Sequence, residues 1–413
     1  MKFDTIVIGG GLSGLTAANV LAAKGQRVAI VTNGQSTLHF GSGSFDLLGY
    51  DTDGKVVENP LEGIKSINAE HPYAKLGTEN VETLAKEAQT LLETCGIHTI
   101  GNAQRNHYRI TPMGTLKPAW LSIDGMATLN IREKVVWKKV ALVNIAGFLD
   151  LPTNFMLAGL AEVGLQCELK TIRMEVFDHA RRNPTEMRAT NVAKVIHDQK
   201  LVESVAAELN KFTGYDAILF PAVAGLRNAA EDELLRKLVN TPLYYVTPMP
   251  PSVMGVRVAM LLMDNFKSNG GIELVSNKIN GGVIENNAVQ YLTSDHLPDE
   301  KLKANNYILA TGSFMSQGLK SDYEHVFEPI LNLDVHASTN RDEWIEEAVF
   351  EAQPYMHYGV ATDKAFHPLK NGKVVTNMYA VGSVLEGHNH IKQADGTGVS
   401  LLTALQVAKE ILK

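Results

Sequence analysis

Cysteine is almost absent from this 413-residue chain: Cys95 and Cys167 are its only two, far from each other and from any CxxC spacing. That excludes a disulfide framework, a zinc ribbon and a cysteine-ligated iron–sulfur cluster. Any cluster that relays electrons must then sit on another chain. An excess of positive charge is lacking too, with 38 Lys and Arg against 45 Asp and Glu and a formal net charge of −7. A nucleic-acid binder needs a basic face to displace counterions; the pairs Lys138-Lys139 and Arg181-Arg182 are short and read as solvated surface. No window approaches the roughly 18 consecutive apolar residues of a membrane span. The opening KFDTIVI runs straight into a strand pattern, without the basic, apolar and small-residue regions of a signal peptide. The expectation is a cytoplasmic protein with no metal site.

What is present is an ordinary globular balance, 45% hydrophobic and 20% charged, in a chain too long for one core. Two lobes are expected. Residues 4–8 read as a buried strand, followed by Gly9-Gly10-Gly11-Leu12-Ser13-Gly14 and a helix to about Lys24 with Leu15, Ala18, Leu21 and Ala22 at helical spacing. Gly25 ends that helix, and residues 27–32 form a second apolar strand, so the first thirty residues make a βαβ unit and imply a parallel sheet. The spacing Gly9, Gly11, Gly14 is that of a nucleotide-binding turn. The first glycine turns the chain, the second admits a phosphate to the backbone, and the third lets helix and strand pack closely.

Further along, the pattern predicts a glycine- and serine-rich segment at 34–50, a helix over 81–94 and extended segments around 107–122. A second α/β unit follows over 138–222, with strands at 140–145, 168–176 and 217–220, a helix near 152–163 and a long helix over 189–211. Three prolines in Thr247–Ser252 mark a crossing between lobes. A helix over 255–267, a hairpin within 272–293 around Asn280-Gly281-Gly282, strands at 307–310 and 378–381, and a helix near 396–412 complete the chain. The fold class is α/β: a Rossmann-like flavin-binding domain on a parallel sheet plus an inserted α/β lobe. The flavin-binding domain is assigned to 1–60, 245–325 and 365–413 and the lobe to 61–244, with 326–364 unassigned.

The glycine motif alone does not separate a flavin from a nicotinamide. Small residues at two later strand ends, Ala310-Thr311-Gly312 and Ala380-Val381-Gly382-Ser383, favour a flavin lying against the backbone at Gly312, Gly382 and Ser383. An acidic residue usually ends the second strand and binds ribose hydroxyls. Here Thr32-Asn33 stands there, which brings flavin mononucleotide into consideration beside the FAD that the motif suggests.

The chain resembles the B subunit of bacterial anaerobic glycerol-3-phosphate dehydrogenase over nearly its full length. The resemblance is carried by KFDTIVIGGGLSGL at the start, GQSTLHFGSGSFDLL at 34–48, HPYAKLG at 71–77, RITPMGTLKPAWLS at 109–122 and NPTEMRATNVA at 183–193. It continues in PPSVMGVR at 250–257, ILATGSF at 308–314, EPILNLDV at 328–335 and YAVGSVLEG at 379–387. It implies a three-subunit respiratory enzyme that oxidises glycerol 3-phosphate to dihydroxyacetone phosphate and passes electrons to quinone. In that family the A subunit is a catalytic flavoprotein, the C subunit holds iron–sulfur clusters and the membrane attachment, and the B subunit is assigned FMN. This chain would then lie on the cytoplasmic side, peripheral to the inner membrane through a partner.

Oxidation of a secondary alcohol by flavin needs a base for the hydroxyl proton, and His357, His388 and His390 flank the expected ring-edge segments. His39 is a candidate to stack near the ring, and Ser42, Gly43 and Ser44 offer hydroxyls and amides to it. A substrate phosphate would want a guanidinium fork, for which Arg257 and Arg188 are candidates; the competing reading of each is a salt bridge between lobes, with Glu186 a local partner. Transfer of electrons to another subunit predicts an apolar, charge-depleted patch near the cofactor mouth. An NAD(P)-dependent dehydrogenase and a non-catalytic flavin-bound scaffold remain alternatives.

Overall fold

The computed structural model describes residues 2–132 and 136–413 and divides into two compact units, the first made of 1–37, 46–95 and 262–413 and the second of 38–45 and 96–261. In the first unit, strand β1 (Lys2–Ile8), helix α1 (Leu12–Ala23) and strand β2 (Val28–Val31) form the βαβ unit. The sheet has five strands in the order Ile272–Leu274, β2, β1, Lys303–Leu309 and Met378–Ala380, all parallel. Its strands read as apolar runs because both faces are covered; Ile6, Val7 and Ile30 are fully buried. Ten of the twelve residues of α1 are buried, since the helix also packs against the last helix, Gly396–Ile411. A polar residue survives there because it is satisfied: Asn19 donates to the Leu15 and Leu262 carbonyls and accepts from Asn265. Strand order reverses between β1 and Lys303–Leu309. In an open α/β sheet, ligands bind at the carboxyl ends of the strands on either side of such a reversal.

The second unit is built on another parallel sheet, in the order Cys167–Ile172, Val140–Ile145, Ala217–Pro221 and Leu243–Val246. Two three-stranded antiparallel sheets accompany it, one centred on Leu121–Ile123 and one on His107–Ile110.

Several boundaries differ from the sequence reading. Residues 61–95 join the first unit, because Val81, Leu84, Ala85, Ala88 and Leu92 give helix Thr78–Thr94 an apolar face that packs on the last helix. Residues 326–364 also belong to the first unit, while 38–45 and 245–261 belong to the second. The proline run therefore does not mark the crossing, which falls within helix Val253–Ser268. The expected long helix over 189–211 is two, Ala189–Val195 and Gln199–Leu209, because the Asp198 side chain accepts from the Leu201 amide at 2.9 Å and starts a new helix. The hairpin pairs Ile279–Glu285 with Ala288–Ser294 and turns at Asn286-Asn287, both at positive φ, 51° and 60°. Gly281 and Gly282 lie in its first strand, where a Cβ on Gly282 would come within 2.8 Å of Leu292 Cδ2.

Candidate functional site

The three glycines at the end of β1 have distinct physical tasks. Gly9 sits at φ +115°, a region closed to side chains, and a Cβ there would collide with the Ala310 carbonyl on the neighbouring strand. A Cβ on Gly14 would run into the Gly9 carbonyl and come within 3.2 Å of Val7 Cγ1, so helix and strand touch only because it is absent. Gly11 is different. Its backbone is extended, φ −82° and ψ −174°, and the nearest atom to an added Cβ is Ser36 Cβ at 4.0 Å. Open space therefore faces the start of α1. That start has no side-chain cap and no acidic residue in its first turn, so its amides and positive dipole end are available to an anion.

The later strand ends close on the same corner. Gly382, at φ +74°, would place a Cβ 2.6 Å from Ser13 Oγ in the first turn of α1, and its amide donates to Thr403 Oγ1 at 3.0 Å. Gly312, at φ +76°, follows Thr311, whose hydroxyl is buried with no hydrogen-bond partner among the described residues. A buried hydroxyl without a partner is unusual and fits a site whose polar complement is a bound molecule. Thr32 is buried and spends its hydroxyl on the Gly34 carbonyl at 2.9 Å; Asn33 is exposed. Gly9, Gly11, Gly14, Gly312 and Gly382 are thus brought together where the strand order reverses.

Next to this corner lies a buried cluster in which His388 is joined by two residues that the sequence reading missed. Asp395 is fully buried and receives His71 Nε2 at 2.8 Å on one oxygen and His388 Nδ1 at 3.3 Å on the other. His71 precedes helix Pro72–Leu76, and its Nδ1 accepts the Tyr73 amide at 3.1 Å. That nitrogen carries no proton, so Nε2–H donates to Asp395. Tyr73 in turn donates its hydroxyl to the Leu47 carbonyl at 2.7 Å. Burial lowers the His71 pKa against the opposing pull of Asp395. Burial pushes the Asp395 carboxyl up, but His388 and His71 outweigh it and hold the group ionised. His357 is exposed, yet desolvation first and the nearby His388 second lower its pKa.

His388 and His390 line a cavity of about 330 Å³ together with Ser383, Phe314, Met315, Tyr355, Met356, Tyr358, Ser313 and Ile391. Phe314 and Tyr355 meet edge to face at 5.8 Å. Large apolar side chains stand exposed at the lining residues Met315 and Ile391, and Phe350 is 91% exposed; Lys392, next to Ile391, donates to the Phe350 carbonyl at 2.6 Å. Charge is not depleted in the segment that carries Phe350, because Asp342, Glu343, Glu346, Glu347 and Glu351 interleave along the chain with the exposed Ile345, Val349 and Phe350.

The remaining candidates fall in the second unit. Ser42 and Ser44 hydrogen-bond each other at 2.8 Å, the Gly43 carbonyl accepts from the Ile123 amide at 2.7 Å, and the His39 carbonyl accepts from the Ser252 amide at 3.0 Å. Partial burial lowers the His39 pKa. The Arg257 fork is already occupied within the protein. The residue is 2% exposed and its fork is spent on Asp232 at 2.7 Å and on the Gly225 and Ala224 carbonyls. Arg188 pairs with the buried Asp150 at 2.5 Å rather than with Glu186, and this pair also lies inside one unit. Both arginines hold the second unit together.

A family model described as FAD binding domain matches residues 4–399. The anaerobic glycerol-3-phosphate dehydrogenase B subunit of Yersinia enterocolitica is 38% identical over 417 residues, covering 100% of this chain and 98% of that protein. The proteins of the same name from Pectobacterium atrosepticum and Haemophilus influenzae are 36% and 33% identical, covering 100% of this chain and 99% and 100% of theirs.

Proposed function

This chain belongs to the family of anaerobic glycerol-3-phosphate dehydrogenase B subunits, and on that premise we propose that it is the flavin-bearing subunit through which glycerol 3-phosphate becomes dihydroxyacetone phosphate. The observation that carries the reading is the open glycine corner beside a cavity that holds His388. The α1 amides and dipole would hold the flavin phosphate at Gly11, and the small residues Gly312, Gly382 and Ser383 would let the rest of the cofactor lie against the backbone. Bound flavin supplies the acceptor for a hydride. The chain supplies the base: Asp395 engages Nδ1 of His388, which leaves Nε2 to take the hydroxyl proton. His390 shares the cavity wall, whose other lining is largely aromatic and thioether side chains.

Thr32 in place of an acid supports FMN, since the ribose of an adenosine half loses its usual partner; the FAD binding domain match over 4–399 supports FAD as the second identity. The mass of the cofactor released by denaturation decides between them. The partners are a second, catalytic flavoprotein and an iron–sulfur subunit that fixes the assembly to the membrane and passes electrons to quinone. No helix among the described residues is long and apolar enough to cross a membrane.

One observation favours electron relay with oxidation on the partner flavoprotein: among the described residues no Lys or Arg lines the cavity to receive a phosphate dianion. Mixing the isolated flavin-loaded chain with glycerol 3-phosphate without oxygen separates the two. Bleaching of its flavin means oxidation here; bleaching that requires the partner flavoprotein means relay.

A further inference from the structure

We propose that Asp395 is the positioning residue for His388, clamped between that ring and His71 so that Nε2 of His388 is the atom that takes the proton of a secondary alcohol in the cavity. This rests on the reading of the cavity as a substrate site. Asp395 does not cap the helix that follows it. It stands at the N-cap of the last helix, where an aspartate ordinarily accepts from the first-turn amides, yet its side chain makes no capping hydrogen bond. Both oxygens go instead to imidazoles. The backbone bends to allow this: the preceding Ala394 sits at φ +49°, a left-handed conformation that a non-glycine residue seldom adopts. Gly398, one turn on, has no room for a Cβ, because the Tyr73 hydroxyl would occupy it.

The tautomers then follow in a chain. The Tyr73 amide donates to His71 Nδ1, so His71 donates from Nε2 to one Asp395 oxygen. An ionised carboxylate only accepts, so His388 donates from Nδ1 to the other oxygen. The lone pair of neutral His388 is thereby on Nε2, in a residue that lines the cavity. The groups facing His388 are Asp395, the His71 ring at 5.9 Å, the His390 ring at 6.2 Å and His357, which itself senses Glu70. Among these groups Asp395 is the anion in contact. In the reaction the O–H bond would break with its proton going to Nε2 and its electron pair forming the carbonyl, while the carbinol hydrogen would leave with the C–H electron pair as a hydride, for which oxidised flavin would be the acceptor.

The test reads the tautomer first. In the flavin-loaded chain with ¹⁵N-labelled imidazoles, the His388 signals are those lost in His388→Gln. The expected pattern is a protonated Nδ1 and an unprotonated Nε2; a proton on Nε2 of the neutral ring overturns the proposal. Asp395→Asn places an amide donor in the cluster. It should keep its flavin, move the His388 proton to Nε2 and slow flavin reduction by glycerol 3-phosphate by about 10²–10⁴-fold, the usual worth of a positioned base. Unchanged tautomer and rate in this variant overturn the positioning role. Absence of bleaching in the unmodified chain overturns the proton transfer and the substrate reading together, while the wild-type tautomer still decides whether Asp395 orients His388.

Discussion

Replacing Gly11 by alanine should weaken flavin binding while leaving the fold in place, because this is the one glycine of the motif whose Cβ meets nothing in the protein. Its extended backbone suits any residue, and the nearest atom to the new methyl is 4.0 Å away. The cost to folding is the loss of a favourable N-cap residue, at most about 1 kcal/mol, or about 2–4 °C in melting temperature. The cost to binding is larger. The methyl occupies the approach of the phosphate to the first amides of α1, and each charge-assisted hydrogen bond lost is worth about 1.5–3 kcal/mol, so Kd should rise about 10- to 150-fold. Titration of the apoprotein with FMN and FAD, followed by quenching of flavin fluorescence, measures this beside a thermal melt. Gly14→Ala is the control of opposite sign, since its methyl meets the Gly9 carbonyl and Val7 and should destabilise the chain first. A folded Gly11→Ala chain that binds flavin within threefold of the parent would refute the placement of the phosphate.

Arg257→Met should cost about 3–5 kcal/mol by leaving Asp232 buried without its partner, while the KM for substrate of the protein that folds stays unchanged; a raised KM at intact stability would return Arg257 to the substrate. Burial pushes the His107 ring, hydrogen-bonded to Ser122, down to about 4, against about 6.5 in an unfolded chain. The unfolded chain therefore binds more protons between those values, so stability present above pH 6.5 is lost as pH falls toward 4, by about 3 kcal/mol. His107→Gln should flatten that slope in urea titrations at several pH values, and an unaltered slope would count against the assignment. Phe350→Ser should leave flavin content and melting temperature unchanged but slow electron delivery to the partner protein, because the ring is 91% exposed and contributes little to folding; equal delivery would place the docking surface elsewhere.

The βαβ start was legible because its signals are local: an apolar run, a glycine turn and a helical stripe within thirty residues. Gly312 and Gly382 were legible as strand ends, although only the sheet order brings them to Gly9 and Ser13. The aspartate between two histidines was not. His71 and Asp395 are 324 residues apart, and no periodicity links them. Arg257 misled for the opposite reason. A guanidinium at a helix start looks like an anion site until its partner Asp232, 25 residues earlier, is seen to fill it. At the hairpin, Asn280-Gly281-Gly282 has turn composition, but the alternation of the flanking strands puts the turn at Asn286-Asn287.

The order in which the strands are threaded has a consequence for biosynthesis. β1 is the middle strand of its sheet, yet the neighbour on one side, Lys303–Leu309, emerges from the ribosome some three hundred residues later, and the edge strand Met378–Ala380 and the helix that covers α1 come later still. The nascent glycine turn must wait, half-walled, while the whole of the second unit is translated between its pieces. Cofactor loading then follows synthesis of Met378–Ala380, and starvation for flavin should leave the glycine turn empty rather than halt the chain before that strand.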